Sequence, residues 1–183
     1  AYPVVGFSYD SNTRGAQYKS QEHKATQIGI EIAKKNGLNL AKLIIYVKKK
    51  YPALKIRLMG HSLGSQVILS TMEKLGNKKL IESVYLFGAS IPSNSFHPKK
   101  QGTIAQKTVK QKLVNYYSKY DDVLKYADAN SLIPPSIGLF GASGKTASIY
   151  EQKHVRPNNH RFVSYAKKGL THPVFFLTHY LQV

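Results

Sequence analysis

Residues 56–75, with the sequence IRLMGHSLGSQVILSTMEKL, decide the fold. Residues 56–59, which are apolar apart from Arg57, predict a short strand, and residues 66–75 have the periodicity of an amphipathic helix ended by Gly76. Between them lies the pentapeptide GHSLG, residues 60–64, which places Ser62 at a strand-to-helix turn. Flanking glycines leave room for the tight turn that pushes such a serine hydroxyl out of a sheet. The stretch therefore predicts an exposed serine at the carboxyl end of a strand.

Strand-like and helical segments alternate along the rest of the chain. The first two predicted helices, 22–35 and 38–51, are separated by Gly37, which fits a left-handed helix stop, and a polar, lysine-rich loop is predicted over 93–111. Such alternation is typical of a parallel sheet covered by helices on both faces. We therefore predict an α/β fold, a three-layer α/β/α arrangement with a mostly parallel sheet, in a single domain over 1–183. Further strands are predicted at 4–9, 84–87, 113–118 and 149–155, and further helices at 122–130, from about 160 and at 173–181.

The composition is strongly basic and free of cysteine. The chain has 27 Lys and Arg against 9 Asp and Glu, a formal net charge of +18. Such a charge attracts anionic partners, so an anionic surface or polymer is an expected partner. No RNA-binding aromatic signature or helix-turn-helix pattern accompanies the basic residues, and nucleic acid is therefore not favoured. The absence of cysteine excludes disulfides, thiol catalysis and thiolate metal sites, and the sequence indicates no compartment.

Two other site types are not predicted. The segment GASGKT, residues 141–146, resembles a phosphate-binding loop, but Leu139 stands where that pattern needs a glycine. The histidines and acidic residues show no close metal-ligand spacing, so no metal site is predicted. We therefore expect no cofactor.

A serine at such a turn needs a base, and the base needs a carboxylate. Asp121 and Asp122 follow the predicted strand 113–118, which is where the acid belongs when the chain order is serine, acid, histidine. We favour Asp121, because Asp122 is well placed to cap the following helix. Asp128 would lie inside that helix and Asp10 precedes the serine, so both fit less well.

The candidate base is His160, which follows the last predicted strand at the expected distance. His172, directly before the predicted final helix, is the rival. The backbone N–H of Leu63, at the start of the helix after Ser62, is the candidate oxyanion donor. The other histidines considered would lie inside a strand, inside a helix or beside the serine itself: His154, His179 and His61.

The residues also carry a family resemblance over nearly the whole chain. The segments are VVGFSYDSNTRGA (4–16), GHSLGS (60–65), LFGASIP (86–92), NYYSKYDDVL (115–124) and VRPNNHRF (155–162). Together they resemble a poorly characterised group of archaeal esterase/lipase-like α/β-hydrolases. By position, the resemblance implies Ser62 as nucleophile, Asp121 as acid and His160 as base. It implies no cofactor.

One departure from that family changes the expectation for partners. Such proteins usually begin with an earlier strand and a His-Gly loop that donates the second oxyanion-hole N–H, whereas this sequence opens at what resembles a later strand. We therefore expect that the N-terminal strands are lacking, and that a second chain carries the missing segment or the oxyanion hole is incomplete. Losing one such donor typically lowers the rate about 10²–10³-fold.

Two functions follow as expectations. The first is a serine hydrolase that cleaves a small-molecule or lipid ester through an acyl-enzyme, using a Ser-His-Asp triad. The second is a catalytically silent α/β-hydrolase scaffold that acts as a structural or interaction subunit with anionic partners.

Overall fold

The computed structural model describes residues 3–9, 13 and 18–169 of the chain. After a short 3-10 turn, Lys19–Gln21, helices and strands alternate. None of the described helices is both long and apolar enough to cross a membrane. The helices are α1 (Glu22–Lys50), α2 (Gly64–Leu75), α3 (Gln101–Thr108), α4 (Asp122–Ala129), α5 (Ile137–Phe140) and α6 (Phe162–Gly169), and the strands are β1 (Ile56–His61), β2 (Ile81–Phe87), β3 (Val109–Tyr117) and β4 (Tyr150–His154).

The four described strands form one parallel sheet in the order β1-β2-β3-β4. The register places Gly60 of β1 beside Leu86 of β2, Leu86 beside Asn115 of β3, and Asn115 beside Gln152 of β4. Because the strands are parallel, all their carboxyl ends lie at one edge of the sheet. The loops at this edge carry the residues of the candidate site.

Helices cover both faces of this sheet. Val84 and Leu86 of β2 pack in a large core with buried residues of α1, α2 and α3. Phe87, on the opposite face of β2, packs in a second core with Tyr165 of α6. The predicted three-layer α/β/α fold with a parallel sheet is therefore confirmed, whereas the single domain over 1–183 stays a prediction.

The two helices predicted around Gly37 are one continuous helix, α1, so the predicted helix stop is wrong. Gly37 lies where α1 packs against α2: a Cβ built on it would stand 2.5 Å from Ser70 Cβ. Ser70 Oγ donates a hydrogen bond to Lys34 O over 2.7 Å, and Thr71 Oγ1 donates to Gly37 O over 3.2 Å. The glycine therefore permits a close helix-helix approach rather than a turn.

Two further predictions are corrected. Residues 4–9 form no strand: the backbone is irregular, Val5 is exposed, and Phe7 and Tyr9 bury part of their rings against the large core without strand pairing. The predicted loop 93–111 contains α3 and the first residues of β3. Its lysines face solvent while Ala105 and Val109 are buried, so its polar composition marks an exposed face of regular structure. The predicted helix 173–181 lies outside the described residues.

Candidate active site

Ser62 occupies the turn between β1 and α2 in a left-handed backbone conformation. Its φ is +51°. Residues other than glycine rarely adopt a positive φ, because the Cβ then crowds the backbone. Its N–H donates to Phe87 O over 3.1 Å, and its carbonyl accepts from Ser65 N–H at 3.1 Å, Ser65 Oγ at 2.6 Å and Ser90 N–H at 3.3 Å. Hydrogen bonds from the end of β2, the loop after β2 and the first turn of α2 therefore hold the serine in this conformation.

The two glycines beside the turn have different roles. A Cβ on Gly60 would stand 2.7 Å from Ile68 Cδ1 and 3.0 Å from Gly64 O, so the glycine lets α2 pack directly on β1. A Cβ on Gly64 would meet nothing within 4 Å. Only the first glycine is required by packing.

Leu63 follows the serine as the N-cap of α2. Across residues 3–9, 13 and 18–169, no group accepts a hydrogen bond from its backbone N–H. Its side chain packs in a small cluster with Ile30 of α1, Leu124 of α4 and Leu139 of α5. The N–H is thus available at the start of a helix, where the helix dipole also favours negative charge.

Asp121 and His160 form a buried pair at the carboxyl edge of the sheet. His160 Nδ1 donates to Asp121 Oδ2 over 2.6 Å, and the exposed fractions of the two side chains are 14% and 0%. Asp121 Oδ1 accepts from Leu124 N–H at 3.0 Å, which makes Asp121 the N-cap of α4. Loops after β3 and β4 therefore bring an acid and a histidine to one point.

The prediction that Asp122 caps α4 is wrong. Helix α4 begins at Asp122, the first residue of the predicted helix 122–130, so the capping position falls on Asp121. Asp122 is exposed and lies 4.0 Å from Lys125 Nζ, a surface pair of little energetic weight. Asp121 therefore caps the helix and binds His160 at the same time, because its two carboxylate oxygens face different partners.

Hydrogen bonds keep Asp121 ionised. Burial by itself raises the pKa of the Asp121 carboxyl, but hydrogen bonds from His160, Tyr165 and Leu124 N–H outweigh burial and hold the pKa below its ordinary value. The Tyr165 hydroxyl donates to Oδ2, the oxygen that also accepts from His160. Burial, and then this contact with Asp121, raise the pKa of Tyr165, so its hydroxyl keeps its proton.

The structure does not join His160 to Ser62 by a hydrogen bond. His160 Nε2 is buried and has no hydrogen-bond partner among the described residues, while Ser62 Oγ lies 3.4 Å from Ser90 Oγ. Since Nδ1 carries the proton donated to Asp121, Nε2 is the ring nitrogen left to accept one. A buried acceptor without a donor is uncommon, and catalytic hydrogen bonds are often long before substrate binds.

His61 contacts His160 through its backbone. His61 Nε2–H donates to the carbonyl oxygen of His160, and the two rings lie 4.7 Å apart between centroids. Burial is the main cause that lowers the pKa of His61, and nearby His160 adds to it. His61 therefore holds the His160 loop as a neutral donor.

Three polar residues of the site were missed by sequence reasoning. Tyr165 reaches Asp121 from α6, and Ser90 lies beside Ser62 Oγ at the end of β2. Gln66 Nε2 fixes the loop after β2 by donating to Ser90 O over 2.9 Å. Ser90 stands in the segment Gly-Ala-Ser directly after a strand, which was a usable signal, whereas nothing local marked Tyr165 or Gln66.

The remaining candidates lie away from this pair. His154, at the end of β4, is exposed and contacts Tyr117 and Tyr120. Asp128 of α4 lines two open concavities of about 340 and 370 Å³ beside residues 131–143, which include α5. His172, His179 and Asp10 lie outside the described residues. Within the described part of the chain, no group of three or more His, Asp or Glu side chains could hold a metal ion.

The family model described as "Protein of unknown function (DUF726)" matches residues 22–131, more than half of the chain. The chain belongs to the DUF726 family. The DUF726 match runs from the start of α1 to just past α4, so it contains Ser62 and Asp121 but ends before His160.

Comparison with other proteins adds little about function. The "Uncharacterized protein alr1448" of Nostoc sp. (strain PCC 7120) is 34% identical to the chain over 74 residues, which are 40% of this chain and 17% of that protein. The aligned part of the chain thus covers less than a fifth of that protein's length. No solved structure matches the chain. Neither the family nor the relative has an assigned function, so the α/β-hydrolase resemblance stays a prediction.

Proposed function

We propose that this DUF726 chain is a serine hydrolase of the α/β-hydrolase type that cleaves carboxylic esters through an acyl-enzyme. In the proposal Ser62 is the nucleophile, His160 the general base and Asp121 the acid that orients the base. The observation that carries it is the buried Asp121–His160 pair, whose free Nε2 lies at the same sheet edge as a serine held at a φ of +51°.

The reaction follows from the protonation states that the contacts favour. Ser62 Oγ attacks the ester carbonyl and gives its proton to His160 Nε2, and the developing oxyanion is stabilised by Leu63 N–H. Collapse of the tetrahedral intermediate breaks the bond to the leaving alcohol, which takes the proton from Nε2. Water then repeats the sequence on the acyl-enzyme and releases the acid. Throughout, Asp121 keeps Nδ1 protonated and stabilises the imidazolium.

The residues around the serine turn indicate the class of substrate. Apolar residues around the turn, with Leu63 packed against Ile30 and Leu139, suit an uncharged acyl group, either of a small molecule or of a lipid. An anionic surface or polymer is the partner that fits the formal net charge of +18.

A silent scaffold is the second candidate function. It is favoured by the absence of a hydrogen bond between Ser62 Oγ and His160 Nε2 in the described structure. In that case the chain would act as an interaction subunit for anionic partners, since its formal net charge is +18.

Hydrolysis of p-nitrophenyl acetate and butyrate distinguishes the two. We expect turnover by the wild-type chain, and a fall of at least about 10³-fold in Ser62→Ala and His160→Ala. Ser143→Ala is the matched control, because Ser143 is an exposed serine in another loop. Turnover that survives in Ser62→Ala would exclude Ser62 as nucleophile, and a folded wild type without turnover would favour the scaffold.

A further inference from the structure

Tyr165 of α6 adds a third side chain to the Asp121–His160 pair. It is fully buried on α6, in the core formed with Phe87, Val114 and Tyr116. The side chains of this core are aromatic and aliphatic. The Tyr165 hydroxyl donates a hydrogen bond to Asp121 Oδ2, which lies outside the core. A buried tyrosine hydroxyl needs such a partner.

Each oxygen of the carboxylate is held by protein donors. Oδ1 accepts from Leu124 N–H of α4, and Oδ2 accepts from both His160 Nδ1 and the Tyr165 hydroxyl. The donors come from α4, from the loop after β4 and from α6, so they fix both the position and the rotation of the carboxylate plane.

Gly88 makes room for this contact. It follows β2 with a φ of +50°, and a Cβ built on it would stand 3.1 Å from the Tyr165 hydroxyl oxygen and from Cζ. Any side chain there would crowd the ring just where its hydroxyl meets Asp121. The approach of Tyr165 to the carboxylate is thus built into the backbone of the neighbouring loop.

We propose that Tyr165 is a positioning residue, which holds the ionised Asp121 carboxylate in the orientation that binds His160 Nδ1. This inference rests on the proposed function for its effect on the reaction, but the contact itself can be tested without catalysis. Without the hydroxyl, His160 is the one donor left to Oδ2 among the described residues, and the buried carboxylate becomes easier to protonate and to rotate.

The test compares Tyr165→Phe with Tyr116→Phe. Both variants remove one hydroxyl from a buried ring of the same core, but only Tyr165 contacts Asp121. Carboxyl ¹³C NMR titration follows Asp121 directly, and the rate of fluorophosphonate labelling follows Ser62. In Tyr165→Phe we expect the Asp121 titration midpoint to move to higher pH and the labelling rate to fall about tenfold, the scale of one hydrogen bond to a charged group. Tyr116→Phe should change neither.

A double-mutant cycle with Asp121→Asn separates positioning from general support of the fold. If Tyr165 acts through Asp121, then Tyr165→Phe should slow labelling much less in the Asp121→Asn background than in the wild type. Equal effects in both backgrounds would overturn the proposal, and so would an unchanged Asp121 titration in Tyr165→Phe. A shifted titration together with an unlabelled wild type would refute the proposed hydrolase and still support Tyr165 as the group that holds Asp121.

Discussion

At the scale of single residues, the main feature is the strained serine. A left-handed backbone costs a residue with a Cβ about 1–2 kcal/mol. Ser62 adopts it at a φ of +51° because its N–H and carbonyl are bonded to Phe87, Ser65 and Ser90 in the surrounding structure. We interpret this strain as a consequence of placing the hydroxyl at the carboxyl edge of the sheet.

Ser62→Gly should therefore be more stable than Ser62→Ala. Glycine adopts a positive φ without a Cβ penalty, so we expect a free energy of unfolding about 1 kcal/mol higher in Ser62→Gly, with neither variant labelled by a fluorophosphonate. Urea denaturation of the two variants measures the difference. If the alanine variant proves as stable as the glycine variant, the turn is not strained at this residue.

At the scale of elements, the contact between α1 and α2 depends on one glycine. Gly37→Ala places a Cβ 2.5 Å from Ser70 Cβ, and we expect the free energy of unfolding to fall by about 1–3 kcal/mol even though alanine is the better helix former. Gly29→Ala, in the same helix, is the control: its Cβ would meet Leu63 Cδ1 at 3.4 Å, an ordinary contact, so that variant should be neutral or slightly stabilised.

Thermal unfolding with a rescue variant checks this reason. Adding Ser70→Gly to Gly37→Ala removes the opposing Cβ, and should restore part of the lost stability beyond the sum of the single effects. A Gly37→Ala variant at least as stable as Gly29→Ala would contradict the close approach.

The same elements show what local sequence could predict. The strand, the serine turn and the helix after it each have a local sequence signal. Residues 56–59, the GHSLG turn and residues 66–75 therefore predict β1, Ser62 and α2 in the right order. The sequence predicts a helix stop at Gly37, because the residue that requires a glycine there, Ser70, lies on another helix. The role of Tyr165 was not predicted for the same reason: its partner Asp121 is distant in sequence, and no local pattern encodes a contact between the two.

At the scale of the whole molecule, stability should fall on acidification in two steps. The pKa of His61 is lowered by burial in the fold, so below the ordinary value of 6.5 the unfolded chain takes up a proton that the folded chain resists. Stability from His61 is thus present at neutral pH and lost as pH falls below about 6.5. The pKa of Asp121 is also lowered, so its contribution is lost only below the ordinary value of 3.8.

Thermal unfolding between pH 7 and pH 5 measures the first step. We expect the unfolding midpoint of the wild type to fall over this range, and to fall less in His61→Gln, whose amide can still donate to the His160 carbonyl but cannot take up a proton. Equal slopes in the two proteins would show that His61 does not set the acid response.

The most direct test of the central claim is to label the folded chain with a fluorophosphonate and map the modified residue by peptide mass spectrometry. We predict one phosphonylated residue, Ser62, in the wild type, no labelling in Ser62→Ala, and unchanged labelling in Ser143→Ala. Labelling at Ser90 instead of Ser62, or no labelling of the folded wild type, would contradict the account of Ser62, His160 and Asp121 as a working triad.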